Sequence, residues 1–160
     1  MEFHHLLYPR QVILVTSCSK GKKNIIALAW HSPLSFKPPL IGIAVGKTRF
    51  SHHLIKEGME FVVSIPTESL REKVIAIGSR SGREIDKFSA TGLTPSPAKF
   101  VKAPLIMECP INIECKLVDE FDAGDHTVFV GEVLEVHKSE IKEKLIFDRG
   151  GRNFFGVEKE

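Results

Sequence analysis

Little in these 160 residues offers a covalent staple, a membrane span or a strongly charged face. Only three cysteines occur, Cys18, Cys109 and Cys115, at wide and unequal spacings. With no Cys-x-x-Cys unit, they read as reduced thiols and not as a disulfide framework or a zinc site. No apolar run reaches the roughly 18 residues of a membrane span, and no basic segment followed by an apolar one opens the chain. A cytoplasmic protein without a membrane partner is expected. Lys plus Arg number 22 against 20 Asp plus Glu, a net charge of +2 with the signs interspersed. That is not the basic stripe of a nucleic-acid binder, and one Trp and one Tyr are few for a single-strand stacking platform. Gly-x-Gly-x-x-Gly, Gly-x-Ser-x-Gly and His-Glu-x-x-His are all missing. The adjacent pairs His4-His5 and His52-His53 are expected to project apart, so no metal is expected.

What is present is the composition of an ordinary globular chain, 42% hydrophobic and 26% charged, enough for a single compact domain over residues 1–160 without a staple. Val12–Cys18 is a short apolar, β-branched run closed by the polar turn Ser19-Lys20-Gly21-Lys22, and Asn24–Trp30 reads as its hairpin partner. Pro33, Pro38 and Pro39 read as a rigid loop. Leu40–Val45 is a third strand, and Phe50, Leu54 and Ile55 then mark a helix that Gly58 is expected to stop in the left-handed conformation. Glu60–Ile65 is a strand closed by Pro66, and Leu70, Val74 and Ile77 recur at helical spacing. Residues 78–104 read as loop with one helical turn near Asp86–Ser89. Two long strands, Ile111–Asp119 and His126–His137, flank the turn Asp122–Asp125. The loop Asp148–Arg152 precedes a terminal segment holding Phe154 and Phe155. Hairpin connections without strict βαβ alternation predict a mainly antiparallel β-barrel with a few inserted helices.

Chemistry has few places to sit. At Gly46-Lys47-Thr48-Arg49-Phe50-Ser51-His52 a strand passes into a helix, so unpaired N–H groups, the positive dipole end, two cations and two hydroxyls share one corner suited to a phosphate monoester. The same spacing also allows plain capping by Thr48. Trp30, the sole tryptophan, is either core or the wall for a planar ligand, with Asn24, His31 and Ser32 as polar neighbours. His126, just after the turn, either serves a ligand or is an ordinary hairpin residue. No catalytic acid, base or nucleophile stands out.

Taken in order, several segments carry a family resemblance. They are Tyr8-Pro9-Arg10-Gln11-Val12-Ile13-Leu14-Val15-Thr16, Asn24 with Ala29-Trp30, Leu34-Ser35-Phe36-Lys37-Pro38-Pro39, and Thr48-Arg49-Phe50-Ser51. Glu60-Phe61-Val62-Val63-Ser64-Ile65-Pro66, Ser81-Gly82-Arg83-Glu84-Ile85-Asp86-Lys87-Phe88, Gly92-Leu93 and Gly124-Asp125-His126-Thr127-Val128-Phe129-Val130-Gly131-Glu132-Val133 follow. Over nearly the whole chain the sequence resembles the flavin reductase-like, FMN-binding split-barrel family, which includes flavoredoxins and archaeal flavin or ferric reductases. The resemblance implies a Greek-key split barrel and a homodimer holding FMN non-covalently. It implies flavin contacts at Asn24, Trp30, Ser51, Lys87 and His126, with Thr48 and Arg49 on the phosphate side and a terminal aromatic, Phe155 or its neighbour Phe154. It further implies electrons taken from NAD(P)H, or from a protein donor in the flavoredoxin manner, and passed to flavin, ferric iron or a similar acceptor. All chemistry then sits on the flavin.

Overall fold

The computed structural model describes residues 2–159. After a 3-10 turn at Phe3–Leu7 come strands β1 (Arg10–Gln11), β2 (Ile13–Ser19), β3 (Lys22–Leu28), β4 (His31–Ser35) and β5 (Leu40–Gly46). Helix α1 (Phe50–Gly58), strand β6 (Glu60–Ile65) and helices α2 (Arg71–Ser79) and α3 (Lys87–Thr91) follow. The second half holds β7 (Pro95–Ser96), β8 (Leu105–Ile106), β9 (Ile111–Ala123), β10 (His126–Lys138), β11 (Leu145–Asp148) and β12 (Phe154–Val157). The expected mainly β, antiparallel barrel with inserted helices is what forms.

Seven strands make the principal sheet, in the order β3-β2-β6-β9-β10-β5-β4, and every pairing is antiparallel. Its two outermost strands, β3 and β4, are consecutive in the chain, so the sheet curls back on itself. Ahead of β4 the β4–β5 ladder is extended by Ala44 N–H, which donates to Trp30 O at 2.9 Å. The two 13-residue strands β9 and β10 follow this curl by two register shifts, at Val130/Gly131 and Val133/Glu135, which is how bulges bend long pairs. Gly131 also makes room for a side chain, because a Cβ there would lie 2.5 Å from the Phe61 ring.

Strand β2 is apolar at every residue from Ile13 to Val15 because it is covered on both faces. Ile13 and Val15 point into the barrel with Ile43, Val45, Ile55, Phe61, Val63, Leu117 and Phe129. Leu14, with Val12 and Ile25, points out against α2 and α3, meeting Val74, Ile77 and Phe88. The helices are therefore layered on the β2–β3 face, and the space between them, α1 and the barrel wall is where a site can form.

Three local expectations are corrected. Gly58 does not stop α1: Met59 takes the left-handed conformation with φ 59°. Gly58 is required instead because a Cβ would strike the Cys18 carbonyl oxygen of β2. Pro33 lies within strand β4, which tolerates it at the sheet's edge where no ladder donor is missed. Thr48 caps nothing: the residue ahead of α1 is Arg49, and no side chain caps the helix start. The expected 148–152 loop forms, as the turn of a β11–β12 hairpin tightened by Asp148, which accepts from the Gly150 and Arg152 N–H groups at 2.8 and 3.3 Å.

Candidate functional site

Strand β3, the β5–α1 corner, the 78–84 segment and the start of β10 meet around one cleft of about 560 Å³. Seven of the sequence-derived residues line it: Asn24, Trp30, Thr48, Arg49, Ser51, Lys87 and His126. They lie up to 102 residues apart in the chain, and only the curl of the sheet brings them together. Phe155 is not among them. On β12 successive side chains alternate, so Phe154 faces the cleft while Phe155 packs against Phe147, at 6.1 Å between centroids, and under the Arg149 guanidinium at 4.2 Å.

One end of the cleft is cationic. The Lys87 side chain is only 6% exposed and its Nζ donates to Ile25 O at 3.0 Å. Burial, with the nearby Arg49 charge adding to it, pulls its pKa down to about 8. Neither Lys87 nor Arg49 pairs with a carboxylate among the described residues. Beside them Asn24 Nδ2 donates to Ser51 Oγ at 3.0 Å, both residues being buried. Because Ser51 Oγ accepts there, its own proton remains for a ligand. Gly82 is pressed against the Asn24 carboxamide, which any Cβ would displace. Counting the whole lining, Arg49, Arg80, Lys87 and Arg152 face two carboxylates, Glu84 and Asp148, an excess of two positive charges that one phosphate dianion would match.

The other end is aromatic. Trp30 is half-buried, so it is not core, and the His126 ring lies 4.8 Å from it at an interplanar angle of 32°. His126 Nδ1 donates to Asp125 Oδ1 at 2.6 Å, and that hydrogen bond holds the Asp125 carboxyl below its usual range. The Trp30 backbone is clamped by Arg10, whose Nε donates to Ala29 O at 2.6 Å and whose Nη2 donates to His31 O at 3.1 Å. His31 is tied down beside it, with Nε2 2.8 Å from Gln11 O.

Arg10, Arg80, Arg152, Ser79 and Ser81 escaped sequence reasoning as site residues. The signal for three of them was present in the Gly78-Ser79-Arg80-Ser81-Gly82-Arg83 run, whose glycine, hydroxyls and cations suit an anion; Arg10 and Arg152 have no local signature. The cysteines stay outside the chemistry: burial raises the pKa of Cys109, and pushes that of Cys115 up to about 12.

The cleft fits a planar molecule ending in a phosphate. It has a buried cation without a carboxylate partner among the described residues, a buried hydroxyl with a free proton and an aromatic wall. Comparison with known proteins agrees with this geometry. A family model described as the flavin reductase like domain matches residues 4–156. The ferric-chelate reductase (NAD(P)H) of Archaeoglobus fulgidus is 32% identical over 139 residues, covering 84% of this chain and 79% of that protein. Among solved structures, the flavoredoxin of Desulfovibrio vulgaris (Miyazaki F) aligns with a TM-score of 0.87 at 29% identity, over 96% of this chain and 89% of that one. The FMN-binding protein of Thermus thermophilus aligns with a TM-score of 0.89 at 26% identity, over 100% of this chain and 93% of that one. With a match that runs through every element lining the cleft, the chain belongs to the flavin reductase like domain family.

Proposed function

We propose that this chain is an FMN-dependent oxidoreductase that takes electrons from NAD(P)H and passes them to free flavin, ferric iron or a similar acceptor. The observation that carries this reading is Lys87, a buried cation beside Arg49 with no carboxylate partner, at one end of a cleft whose other end is Trp30. Arg49, Ser51, Lys87 and the uncapped start of α1 bind the phosphate, with Thr48 beside them. Lys87 contributes most, because its neutralising partner is supplied only by the ligand. Trp30 and Phe154 exclude water from the faces of the ring system, and Asn24 and His126 offer hydrogen bonds along its polar edge. A flavin held there would supply the redox chemistry, hydride acceptance and one- or two-electron transfer. No side chain needs to act as an acid or base; among the described residues the cleft's one carboxylate–histidine pair is Asp125–His126.

The working unit is a homodimer. Phe3, Leu6, Leu7, Leu34 and Phe36 are exposed around the strand that follows Trp30, Phe36 at 98%, and a second hollow lined by Phe3, Leu7 and Leu34 shares Trp30 with the cleft. A second copy of the chain covering this surface would close the aromatic end. The test is anaerobic: the protein saturated with FMN is mixed with NADH or NADPH and the visible flavin absorbance followed. Bleaching by either nucleotide is expected. Binding of FMN with no bleaching by either overturns the reductase reading in favour of an electron carrier reduced by another protein, the reading that the likeness to a flavoredoxin favours.

A further inference from the structure

Outside the cleft, one cluster of ligand-bearing side chains remains unused. Glu2, His4 and His5 each offer one donor atom, and all three atoms lie within 4.8 Å of one another, the one such trio among the described residues. The sequence expectation that His4 and His5 diverge fails because the 3-10 turn is tight: His5 N–H donates to Glu2 O at 3.1 Å, and the two ring centroids come to 4.4 Å. Glu2 is the residue ahead of this turn, and its carboxylate oxygen Oε2 reaches His4 Nε2.

We propose that Glu2, His4 and His5 bind one first-row transition-metal ion beside the aromatic end of the cleft. The distances support an ion. In a tetrahedral site with bonds of 2.0–2.1 Å, ligand atoms sit about 3.4 Å apart, and Glu2 Oε2 already lies 3.4 Å from His4 Nε2. The remaining edges need to close by less than about 1.5 Å, within the reach of side-chain rotation on a fixed backbone. Aromatic neighbours keep both rings on this side of the turn. His4 packs edge-on against Trp30 at 5.4 Å and within 6.3 Å of Tyr8, while His5 sits against Tyr8 at 6.1 Å and beside Gly150. Two imidazoles and one carboxylate with open positions suit zinc, copper, nickel, cobalt or ferrous iron, and are a poor set for calcium or magnesium, which take oxygen ligands. Tyr8 and Trp30 both line the cleft, so the ion would stand one aromatic ring away from whatever the cleft binds. This assignment does not depend on the cleft's ligand.

The test uses the full chain without an affinity tag. Zn(II) binding is measured by calorimetry, and the electron paramagnetic resonance of added Cu(II) is read for nitrogen splitting. The wild type is expected to bind one ion per chain with two imidazole nitrogens in the Cu(II) spectrum. The double variant His4→Ala/His5→Ala should lose at least about tenfold in affinity together with the nitrogen splitting, and Glu2→Gln about tenfold with the splitting retained. His53→Ala, at an exposed ion pair with Glu57, should bind as the wild type does. Because His4 touches Trp30, the thermal midpoint of each variant is recorded alongside, and Glu2→Gln tests the site without touching that packing. No saturable binding in the wild type overturns the proposal, as does an unchanged affinity in the double variant or an equal loss in His53→Ala.

Discussion

At the residue scale the account turns on Lys87. A buried ammonium with one carbonyl partner is costly, and burial accordingly pulls its pKa down. Replacing it with Met keeps the length and removes the charge. Lys87→Met is expected to weaken FMN at least about tenfold while leaving riboflavin, which lacks the phosphate, within about twofold. Equal losses for both ligands would reject the phosphate role. The same residue sets a pH dependence. With a folded pKa of about 8 against an ordinary 10.5, the unfolded chain binds the proton more tightly between these values. Stability of the ligand-free protein therefore rises from pH 8 to 10.5 and is lost as pH falls back through 8, an effect of up to about 3 kcal/mol. Denaturant unfolding of wild type and Lys87→Met across that range should show the difference between them shrinking as pH rises. FMN affinity should move the opposite way, falling above pH 8 as the ammonium loses its proton.

At the element scale, the long strands and α1 were legible because their apolar residues recur at the period of a strand or of a helix. The unbroken apolar run of β2 is the signature of a strand covered on both faces, whereas the alternation of Ile111–Asp119 suggests one covered face and the structure covers both over its first half, burying Asn112 and Glu114. What could not be read locally was set by distant contacts. Gly58 looked like a helix stop, and only the approach of α1 to the Cys18 carbonyl shows why glycine is needed. Phe154 and Phe155 are equivalent in sequence until β12 is paired with β11. The loop at 99–101, which has no regular structure, is held by a residue that the pattern hid within β9. Glu114 is fully buried and accepts from the N–H groups of Lys99, Phe100 and Val101 at 2.7, 2.7 and 3.2 Å, and from His137 Nε2 at 2.7 Å. Burial pushes its pKa up, but these donors outweigh burial and hold it below the ordinary carboxylate value. Its contribution is present above that ordinary value and disappears as pH falls through the lowered one. Glu114→Gln should cost about 1–3 kcal/mol at neutral pH and flatten the acid limb of the stability curve, measured by urea unfolding between pH 7 and 3. An unchanged acid limb would show that other carboxylates set it.

At the scale of the whole molecule, the antiparallel sheet that wraps from β3 back to β4 places the cationic corner and the aromatic wall on one cleft. The sequence shows each half separately: the corner by its Lys, Thr, Arg and Ser at a helix start, the wall by a lone Trp. Their convergence is a property of the closed sheet alone. The exposed apolar residues beside that wall predict a dimer. Light scattering should give twice the 17.9 kDa chain mass, and Phe36→Asp should shift the population towards monomer; a wild-type monomer at micromolar concentration would remove the second copy from the site. The central claim, that the cleft holds a flavin through its phosphate and its ring together, is tested most directly by calorimetric titration of the flavin-free protein with FMN and with riboflavin. The account predicts one FMN per chain, bound at least about tenfold more tightly than riboflavin. No FMN binding, or equal affinity for the two, would contradict it.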